Sequence, residues 1–174
     1  MDFLHMSRDD VQVWAQSAMP SPADKITVGA AVVRTSENGR REILLLKRAA
    51  HEDYYPGVFE IPGGKVDESD RSIRDALARE VAEETGLTVS GILGSLEPFM
   101  YTTEKSFGGS VQTIRKVALQ LSYLVEVQES GDDFVVNPDE HSEGTWATAD
   151  RLSAMPITND MRKIVLEALG SLAQ

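Results

Sequence analysis

Cysteine is absent from this chain of 174 residues. Its absence excludes a disulfide framework, a thiolate metal site and a cysteine nucleophile. No apolar stretch approaches the roughly 20 residues that a membrane-spanning helix needs. The opening segment Met1-Asp2-Phe3-Leu4-His5 also lacks the basic stretch with which a secretory signal begins. We therefore expect a cytoplasmic protein that does not engage a membrane.

Basic residues are scarce: 17 Lys and Arg against 28 Asp and Glu give a formal net charge of −11. A nucleic acid polymer is bound through clustered Lys and Arg, so this balance argues against such a partner. A small phosphorylated substrate stays compatible, because bound metal ions reverse the local sign of an acidic site. The sequence also lacks a Gly-rich loop that ends in Gly-Lys-Ser or Gly-Lys-Thr, which speaks against a P-loop NTPase.

The chain length fits one domain with a sizeable core. Residues 7–18 are predicted to form a helix whose apolar stripe includes Trp14, and Met19-Pro20-Ser21-Pro22 then breaks the chain. This pattern predicts an N-terminal helical extension and linker over residues 1–22. The main domain is expected over residues 23–174.

In the main domain, strand-like apolar runs are combined with amphipathic helices. Asn38-Gly39 is a hairpin-turn signal between the first two strands. The best helical pattern is Arg71–Thr85, which Gly86 is well placed to end. The predicted elements are strands at 26–33, 43–46, 58–61, 89–98, 115–127 and 145–147 and helices at 71–85 and 160–169. Their order, β-β-β-α-β-β-β-α, favours an α/β fold in which helices cover a mixed sheet.

Three glutamates crowd the C-terminal half of the 71–85 helix. Glu80 and Glu84 are four residues apart and share one face, which Glu83 borders. Mutual repulsion and the negative end of the helix dipole both disfavour this arrangement. A Gly63-Gly64 turn upstream lets the backbone and its carbonyls approach a ligand. The set suits a hard cation such as Mg²⁺ or Mn²⁺, and the alternative is a solvated acidic helix face.

The run Arg-Glu-Val-Ala-Glu-Glu-Thr-Gly-Leu at 79–87, with Gly64 upstream, resembles the Nudix box. The family pattern is a Gly, five residues, a Glu, seven residues, and then Arg-Glu-apolar-any-Glu-Glu-any-Gly-apolar. The second half matches at every specified position. In the first half, Asp70 stands in place of the family's Glu and eight residues separate it from Arg79, which indicates a one-residue insertion before the helix. Weaker similarity extends over residues 25–169.

The resemblance implies a Nudix-type α/β/α sandwich around a mixed β-sheet. It also implies that Glu80, Glu83 and Glu84 hold Mg²⁺, or Mn²⁺ in its place. A backbone carbonyl of Gly64, or of the glycine before it, would be a further ligand. Arg79 is expected to hold a neighbouring carboxylate, most simply Glu83 at i+4. In this interpretation Arg79, Glu80 and Glu83 serve catalysis directly.

The general base has no fixed position in this superfamily. Glu140 and Glu143, which precede Trp146, are candidates, and plain loop acids are the equal alternative. On the substrate side, Arg48 would hold a phosphate and Phe59 would stack on a base. The respective alternatives are a strand-end cation and a core aromatic residue. The three histidines show no metal-ligand spacing and receive no role.

The predicted function is Mg²⁺-dependent hydrolysis of a diphosphate linkage in a small, nucleotide-like nucleoside diphosphate derivative. A (deoxy)nucleoside triphosphate is the first candidate substrate, and an ADP-sugar is the second. The main alternative is a catalytically silent Nudix domain that senses a nucleotide or binds a partner. An isomerase of the isopentenyl diphosphate type is disfavoured, because its usual form needs a cysteine. Superfamily members often form dimers, so a homodimer is a further expectation, with Trp14 either at its interface or covering the sheet.

Overall fold

The computed structural model describes residues 2–106, 113–128 and 132–171. In chain order, the elements of these ranges are α1 (Arg8–Ala18), β1 (Lys25–Thr35), β2 (Arg41–Arg48), β3 (Phe59–Glu60), α2 (Ile73–Thr85), β4 (Val89–Ser95), β5 (Phe99–Ser106), β6 (Thr113–Val127), β7 (His141–Ala147), a 3-10 helix (Ala149–Ala154) and α3 (Asn159–Gly170). None of the helices in these ranges is long and apolar enough to cross a membrane.

The strands form a mixed sheet that divides beyond its central hairpin. β1 runs parallel to β6 from Lys25 to Val32, and β6 pairs antiparallel with β5 along its first half and with β4 along its second. β2 pairs with β1 only near the hairpin, where Val33 pairs with Ile43. It then diverges and pairs with β3 and β7. The divergence leaves a cleft between the first half of β1 and the second half of β2.

The segment after β3 enters this cleft and lies against β1. Val28 N–H donates to the Gly64 carbonyl over 2.9 Å, and Ala30 N–H donates to the Pro62 carbonyl over 2.7 Å. Between these two bonds, Gly63 has φ +154°, and a Cβ there would lie 2.1 Å from the Val28 carbonyl oxygen. Only glycine fits so close to a neighbouring strand. The Gly63-Gly64 pair is therefore the point at which the backbone crosses the cleft beside β1.

Two apolar cores lie on opposite faces of the sheet. Leu44 and Leu46 of β2 belong to the core that buries α1 and α2. Ile43 and Leu45 belong to the core that buries α3. Because successive side chains of a strand point to opposite faces, the helices form two layers with the sheet between them. The predicted α/β/α sandwich around a mixed sheet is confirmed.

The N-terminal extension packs into the first of these cores. Ser7 caps α1 through a capping box, and Val11 and Ala15 are fully buried. Phe3 meets Trp14 edge to face, with ring centroids 4.6 Å apart. Trp14 therefore contributes to the covering of the sheet face, and its alternative role at a dimer interface stays a prediction.

The same extension also supports the start of α2. The Met6 carbonyl accepts a hydrogen bond from Ile73 N–H, and the Leu4 carbonyl accepts one from Arg74 N–H, each over 3.0 Å. These N–H groups belong to the first turn of a helix, where no partner exists within the helix. The extension thus completes the helix that carries the box, while a domain boundary at residue 22 stays a prediction.

Strand β5 is not predicted from the sequence. The strand predicted over 89–98 ends at Ser95, and a new strand begins at Phe99, directly after Pro98. Proline cannot donate a ladder hydrogen bond, which favours a break at this point. The polar residues that follow, such as Thr102 and Thr103, give a weak strand pattern. Pairing with β6 is what makes this segment a strand.

We expect Phe3→Ala to lower the free energy of unfolding by roughly 3 kcal/mol, because Phe3 is 6% exposed and packs against Trp14 in the core. Denaturant unfolding measures this change. Val13→Ala is the matched control, since Val13 lies in the same N-terminal extension but is 66% exposed, and it should stay within about 0.5 kcal/mol of wild type. An unchanged stability in Phe3→Ala would mean that the extension does not share the core.

Candidate active site

Helix α2 is fixed at both ends by its own sequence. Ser72 caps its start by accepting a hydrogen bond from the N–H three residues on, and Gly86 ends it in a left-handed conformation at φ 69°. The helix then turns Glu80 and Glu84 inward, where they are 7% and 2% exposed. Glu83 is exposed. Two of the three predicted metal-binding carboxylates are therefore buried against the cleft.

The Gly63-Gly64 segment brings backbone against these carboxylates. Gly63 N–H donates to Glu84 Oε2 over 2.8 Å. A Cβ on Gly64 would lie 2.6 Å from Glu80 Oε2, so a larger residue at this position would displace the Glu80 carboxyl. The Gly64 carbonyl accepts from Val28 N–H, which leaves its second lone pair for a cation. The structure brings Gly64, Glu80 and Glu84 together.

Arg79 gathers the acids on the outer side of α2. Its guanidinium donates to Glu80 over 2.9 Å and to Glu83 over 3.0 Å, so the expected i+4 contact is present. Its two-pronged contact is with Asp70, over 3.0 and 2.7 Å. This contact lowers the pKa of Asp70. Asp70, which stands where the family pattern has a Glu, is therefore bound directly to Arg79, the arginine of the box.

Burial governs the protonation of the two inward carboxyls. It raises the pKa of Glu84 from its ordinary 4.5 to about 9, and the charges of Glu60 and Glu140 add to the shift. It raises the pKa of Glu80 to about 7, against the opposing charge of Arg79. Loss of hydration disfavours the charged form in both cases. A cation held between these groups would offset both the desolvation and the mutual repulsion.

Glu60 of β3 forms the opposite wall of the cleft. Its Oε1 accepts a hydrogen bond from Arg48 Nη1 over 2.8 Å and lies 3.1 Å from His141 Nε2. His141 opens β7 and is 1% exposed, and its Nδ1 lies 3.9 Å from Glu84 Oε1. A continuous row of charged and polar side chains thus joins β2, β3, β7 and α2.

Arg48, predicted to hold a phosphate, has protein partners for its guanidinium. Besides Glu60, it donates to Glu52 Oε2 over 2.6 Å and to the Tyr54 carbonyl over 2.7 Å. These bonds fix the 49–58 loop and the Glu60 carboxylate. Arg48 also lines the cavity beside the carboxylates, and its contact with a substrate stays a prediction.

A cavity of about 250 Å³ lies beside the carboxylates, between β1, β5 and the loop before β3. In its floor, Thr27 Oγ1 donates to Gln120 Oε1 over 2.7 Å, and the buried Thr103 hydroxyl has no hydrogen-bond partner among the described residues. Phe59, predicted to stack on a base, lines this cavity together with Tyr101 and is 6% exposed. Aromatic walls and an unpaired polar group suit a planar ligand with polar edges.

Cations surround this cavity despite the acidic balance of the chain. Lys25 Nζ lies 5.5 Å from the ring centroid of Tyr54 and 5.7 Å from that of Tyr101. Burial lowers the pKa of Lys25, and nearby positive charges, among them Arg48 and Lys65, lower it further. The positive charge concentrated here favours an anionic ligand.

Glu143 lies outside the carboxylate cluster. It pairs with Lys47 across β2 and β7, and Lys47 pairs in turn with Phe59, so the three side chains share one face. The next residue of β3, Glu60, projects from the opposite face. Glu140 is the loop acid whose charge raises the pKa of both inward carboxyls of α2. A catalytic role for Glu143 stays a prediction.

Glu60 and His141 received no role from the sequence. The signal for Glu60 is a single acid inside the apolar run Val58–Ile61, which Pro62 separates from two glycines. His141 carries no comparable signal, because its spacing to other ligands along the chain is uninformative. Only the pairing of β3 and β7 on opposite sides of β2 brings the two side chains together.

The described ranges contain no three His, Asp or Glu side chains already gathered as metal ligands would be. Arg79 holds Glu80 and Glu83, and a backbone N–H holds Glu84. The chemistry of the set nevertheless fits a hard cation: three carboxylates and the carbonyl of Gly64 are all oxygen donors, and two of the carboxyls are buried and mutually repelling.

A family model described as the NUDIX domain matches residues 25–168. The match begins with β1 and ends within α3, so it covers both sheet halves, the box helix and the cleft. The fold and the box define a Nudix domain, and the chain belongs to the Nudix family.

Two curated relatives are similar to this chain in sequence. The chain is 31% identical over 147 residues to the m7GpppN-mRNA hydrolase NUDT17 of Danio rerio, a match of 79% of this chain and 47% of that protein. It is 41% identical over 69 residues to the Uncharacterized Nudix hydrolase NudL of Enterobacter sp. (strain 638), covering 38% of this chain and 34% of the relative. The chain spans about half the length, or less, of these relatives.

Solved structures show the same fold. The MutT NUDIX hydrolase from Burkholderia pseudomallei superposes with a TM-score of 0.59 at 25% identity, covering 82% of this chain and 95% of that one. A C. elegans Ap4A hydrolase superposes with a TM-score of 0.61 at 20% identity, covering 86% and 98%. The second likeness concerns the fold alone.

The raised pKa values of Glu80 and Glu84 predict a pH-dependent stability in the absence of metal. Between about 4.5 and about 9, the folded protein holds protons that the unfolded chain releases. The contribution of these two carboxyls to the free energy of unfolding is therefore greatest at low pH and is lost as pH rises through this window. Denaturant unfolding in EDTA at several pH values measures the slope.

Glu84→Gln should flatten this slope, because the amide does not ionise. Glu37→Gln, at the exposed hairpin turn, is the control and should keep the wild-type slope. Equal slopes in wild type and Glu84→Gln would contradict the raised pKa of Glu84.

Proposed function

We propose that this chain hydrolyses a diphosphate linkage in a nucleoside diphosphate derivative, with Mg²⁺ as its cofactor. The observation that carries the proposal is the meeting of Glu80 and Glu84 with Gly63-Gly64 in the cleft, beside a cavity with cationic and aromatic lining. A (deoxy)nucleoside triphosphate is the favoured substrate, and an ADP-sugar is the second candidate.

Glu80, Glu83 and Glu84 would hold Mg²⁺ or Mn²⁺, with the Gly64 carbonyl as a further ligand. When bound there, the cation supplies neutralisation of the diphosphate charge and acidifies a water molecule. The protein's part is orientation. Arg79 keeps Glu80 and Glu83 in place through hydrogen bonds of 2.9 and 3.0 Å. Burial makes the inward carboxyls poor partners for bulk water and good partners for a cation.

The cavity would take the nucleoside part of the substrate. Tyr101 and Phe59 offer ring faces on which a base stacks, and the Thr103 hydroxyl offers a hydrogen bond to its edge. Lys25 and Arg48, both at the cavity wall, supply positive charge toward the phosphates. The expected roles of Arg48 and Phe59 in substrate binding are compatible with these positions.

Removal of a proton from the attacking water falls to an acid outside the ligand set. Glu140 is favoured, because its charge acts on both inward carboxyls of α2. Glu143, which pairs with Lys47 at 3.7 Å, is the second candidate. A positioned base typically contributes about 10²- to 10⁴-fold in rate.

A substrate panel tests the proposal. It contains nucleoside triphosphates, oxidised guanine nucleotides, ADP-ribose, sugar nucleotides and dinucleoside polyphosphates, with and without Mg²⁺, and products are separated by chromatography. We expect Mg²⁺-dependent release of a nucleoside monophosphate from one substrate class. No cleavage of any member with Mg²⁺ or Mn²⁺ would favour the alternative of a silent Nudix domain that binds a nucleotide.

In the same assay, Glu84→Gln should lower kcat by more than about 100-fold, since loss of a metal ligand should exceed the 10- to 100-fold cost of outer-shell changes. The amide preserves the size of a carboxyl that burial keeps protonated in the absence of metal, so the fold should survive. Glu37→Gln is the matched control on the surface. Turnover of Glu84→Gln within about threefold of wild type would refute the metal-site assignment.

Comparison of Glu140→Gln with Glu143→Gln separates the two base candidates. We expect Glu140→Gln to lower kcat by roughly 100-fold or more and Glu143→Gln by only a few-fold, because Glu143 shares the face of Phe59 rather than that of Glu60. The pH profile of kcat/KM should lose its acidic limb in the variant that lacks the base. The reverse order of effects would assign the base to Glu143.

A further inference from the structure

His141 is a buried histidine with one ring nitrogen, Nδ1, that has no hydrogen-bond partner among the described residues. It is 1% exposed at the start of β7, where a bulge between Lys47 and Arg48 shifts the strand pairing. Bulges re-aim side chains, and this one coincides with the residue whose imidazole lies between two carboxylates of other elements. Those carboxylates are Glu60 and Glu84, at 3.1 and 3.9 Å.

Contacts on one side of the ring fix its tautomer. Glu60 Oε1 accepts a hydrogen bond from Arg48 Nη1 over 2.8 Å, and the same oxygen faces the ring of His141. Because a carboxylate oxygen accepts hydrogen bonds, we assign a proton to the nitrogen beside it, Nε2 of His141. The other nitrogen, Nδ1, is buried and has no hydrogen-bond partner within the described part of the chain.

Glu84 is the neighbour that Nδ1 meets. Its Oε2 accepts from Gly63 N–H over 2.8 Å, while its Oε1 is the atom that lies 3.9 Å from the ring. The terminal torsion of a glutamate is broad, so a single hydrogen bond to one oxygen still lets the planar carboxyl group turn, and both oxygens move together when it does. The imidazole lies at contact distance on the remaining side and limits that torsion.

We propose that His141 is a positioning residue for Glu84. The contacts from Arg48 through Glu60 hold the ring, and the ring holds the free oxygen of Glu84 in the orientation that serves the cleft. The inference rests on the proposed function only in taking Glu84 as a metal ligand. Outer residues that orient ligands typically change metal affinity by about 10- to 100-fold when replaced.

The contact itself can be tested in the wild-type fold, without metal or substrate. The chain has three histidines, His5, His51 and His141, so their ring nitrogens can be assigned in a long-range ¹H–¹⁵N correlation spectrum. We expect His141 to be the Nε2-protonated tautomer, and Glu84→Gln to shift its Nδ1 resonance while those of the other two histidines stay in place. The proposal would be overturned if Nδ1 were protonated and Nε2 were not, or if the Nδ1 resonance did not change in Glu84→Gln.

Two substitutions test the consequence for metal binding, measured as the Mn²⁺ dissociation constant by electron paramagnetic resonance. His141→Gln places its amide near the position of Nε2 and leaves the Glu84 side without a partner. His141→Asn places its amide near the position of Nδ1. We expect His141→Gln to weaken Mn²⁺ binding by roughly 10-fold or more, and His141→Asn to restore part of that loss. The exposed His51→Gln is the control and should leave the dissociation constant unchanged.

The outcomes separate the two levels of inference. A folded His141→Gln with wild-type Mn²⁺ affinity, or equal losses in the Gln and Asn variants, would overturn the positioning role while the hydrolase proposal stands. A wild-type protein that binds no Mn²⁺ and cleaves no substrate would overturn the proposed function, and the metal-free spectra would still decide whether His141 contacts Glu84. Should either variant fail to fold, those spectra decide the question alone.

Discussion

Between β1 and α2, a side chain at Gly63 would collide with the backbone of β1, and one at Gly64 would displace the Glu80 carboxyl. On one side, the backbone of the Gly63-Gly64 segment approaches the Val28 carbonyl so closely that a Cβ at Gly63 would lie 2.1 Å from the oxygen; on the other, a Cβ at Gly64 would lie 2.6 Å from Glu80. Hydrogen bonds from β1 hold this segment in the cleft beside the diverging hairpin, and the bond from Gly63 N–H to Glu84 ties the segment to the box helix. The sheet, the helix and the carboxylates therefore share one constraint.

This constraint has an electrostatic consequence. Close packing removes Glu80 and Glu84 from water, and burial raises their pKa values to about 7 and about 9. Arg79 offsets part of the charge from outside, where Asp70 binds it in a two-pronged contact. The acids and the cationic cavity around Lys25 lie side by side, an arrangement that suits a substrate with an anionic middle and a planar, polar end.

Most of the fold could be predicted because most of its helices and strands have local sequence signals. The apolar stripe and Gly86 indicate α2, and Asn38-Gly39 indicates the turn of the first hairpin. Strand β5 could not be predicted, since its partner β6 supplies the order that its own sequence lacks. The predicted arginine contact with Glu83 is present because helix geometry fixes i+4 neighbours. The contact of Arg79 with Asp70 could not be predicted in this way, because Asp70 lies in the loop before α2, where the sequence has no periodic pattern.

The sequence by itself determined the family, the box and the face of α2 on which the carboxylates lie, because these depend on residue identity and on short spacings. The tertiary structure decided which carboxylates are buried, that Arg48 is held by Glu60 and Glu52, and that His141 meets Glu84. It also placed Glu143 on the same face as Phe59, and it placed Glu140 where its charge raises the pKa values of Glu80 and Glu84. Burial and contact between distant segments arise only when strands pair and layers pack, and no local pattern encodes the distance between two such side chains.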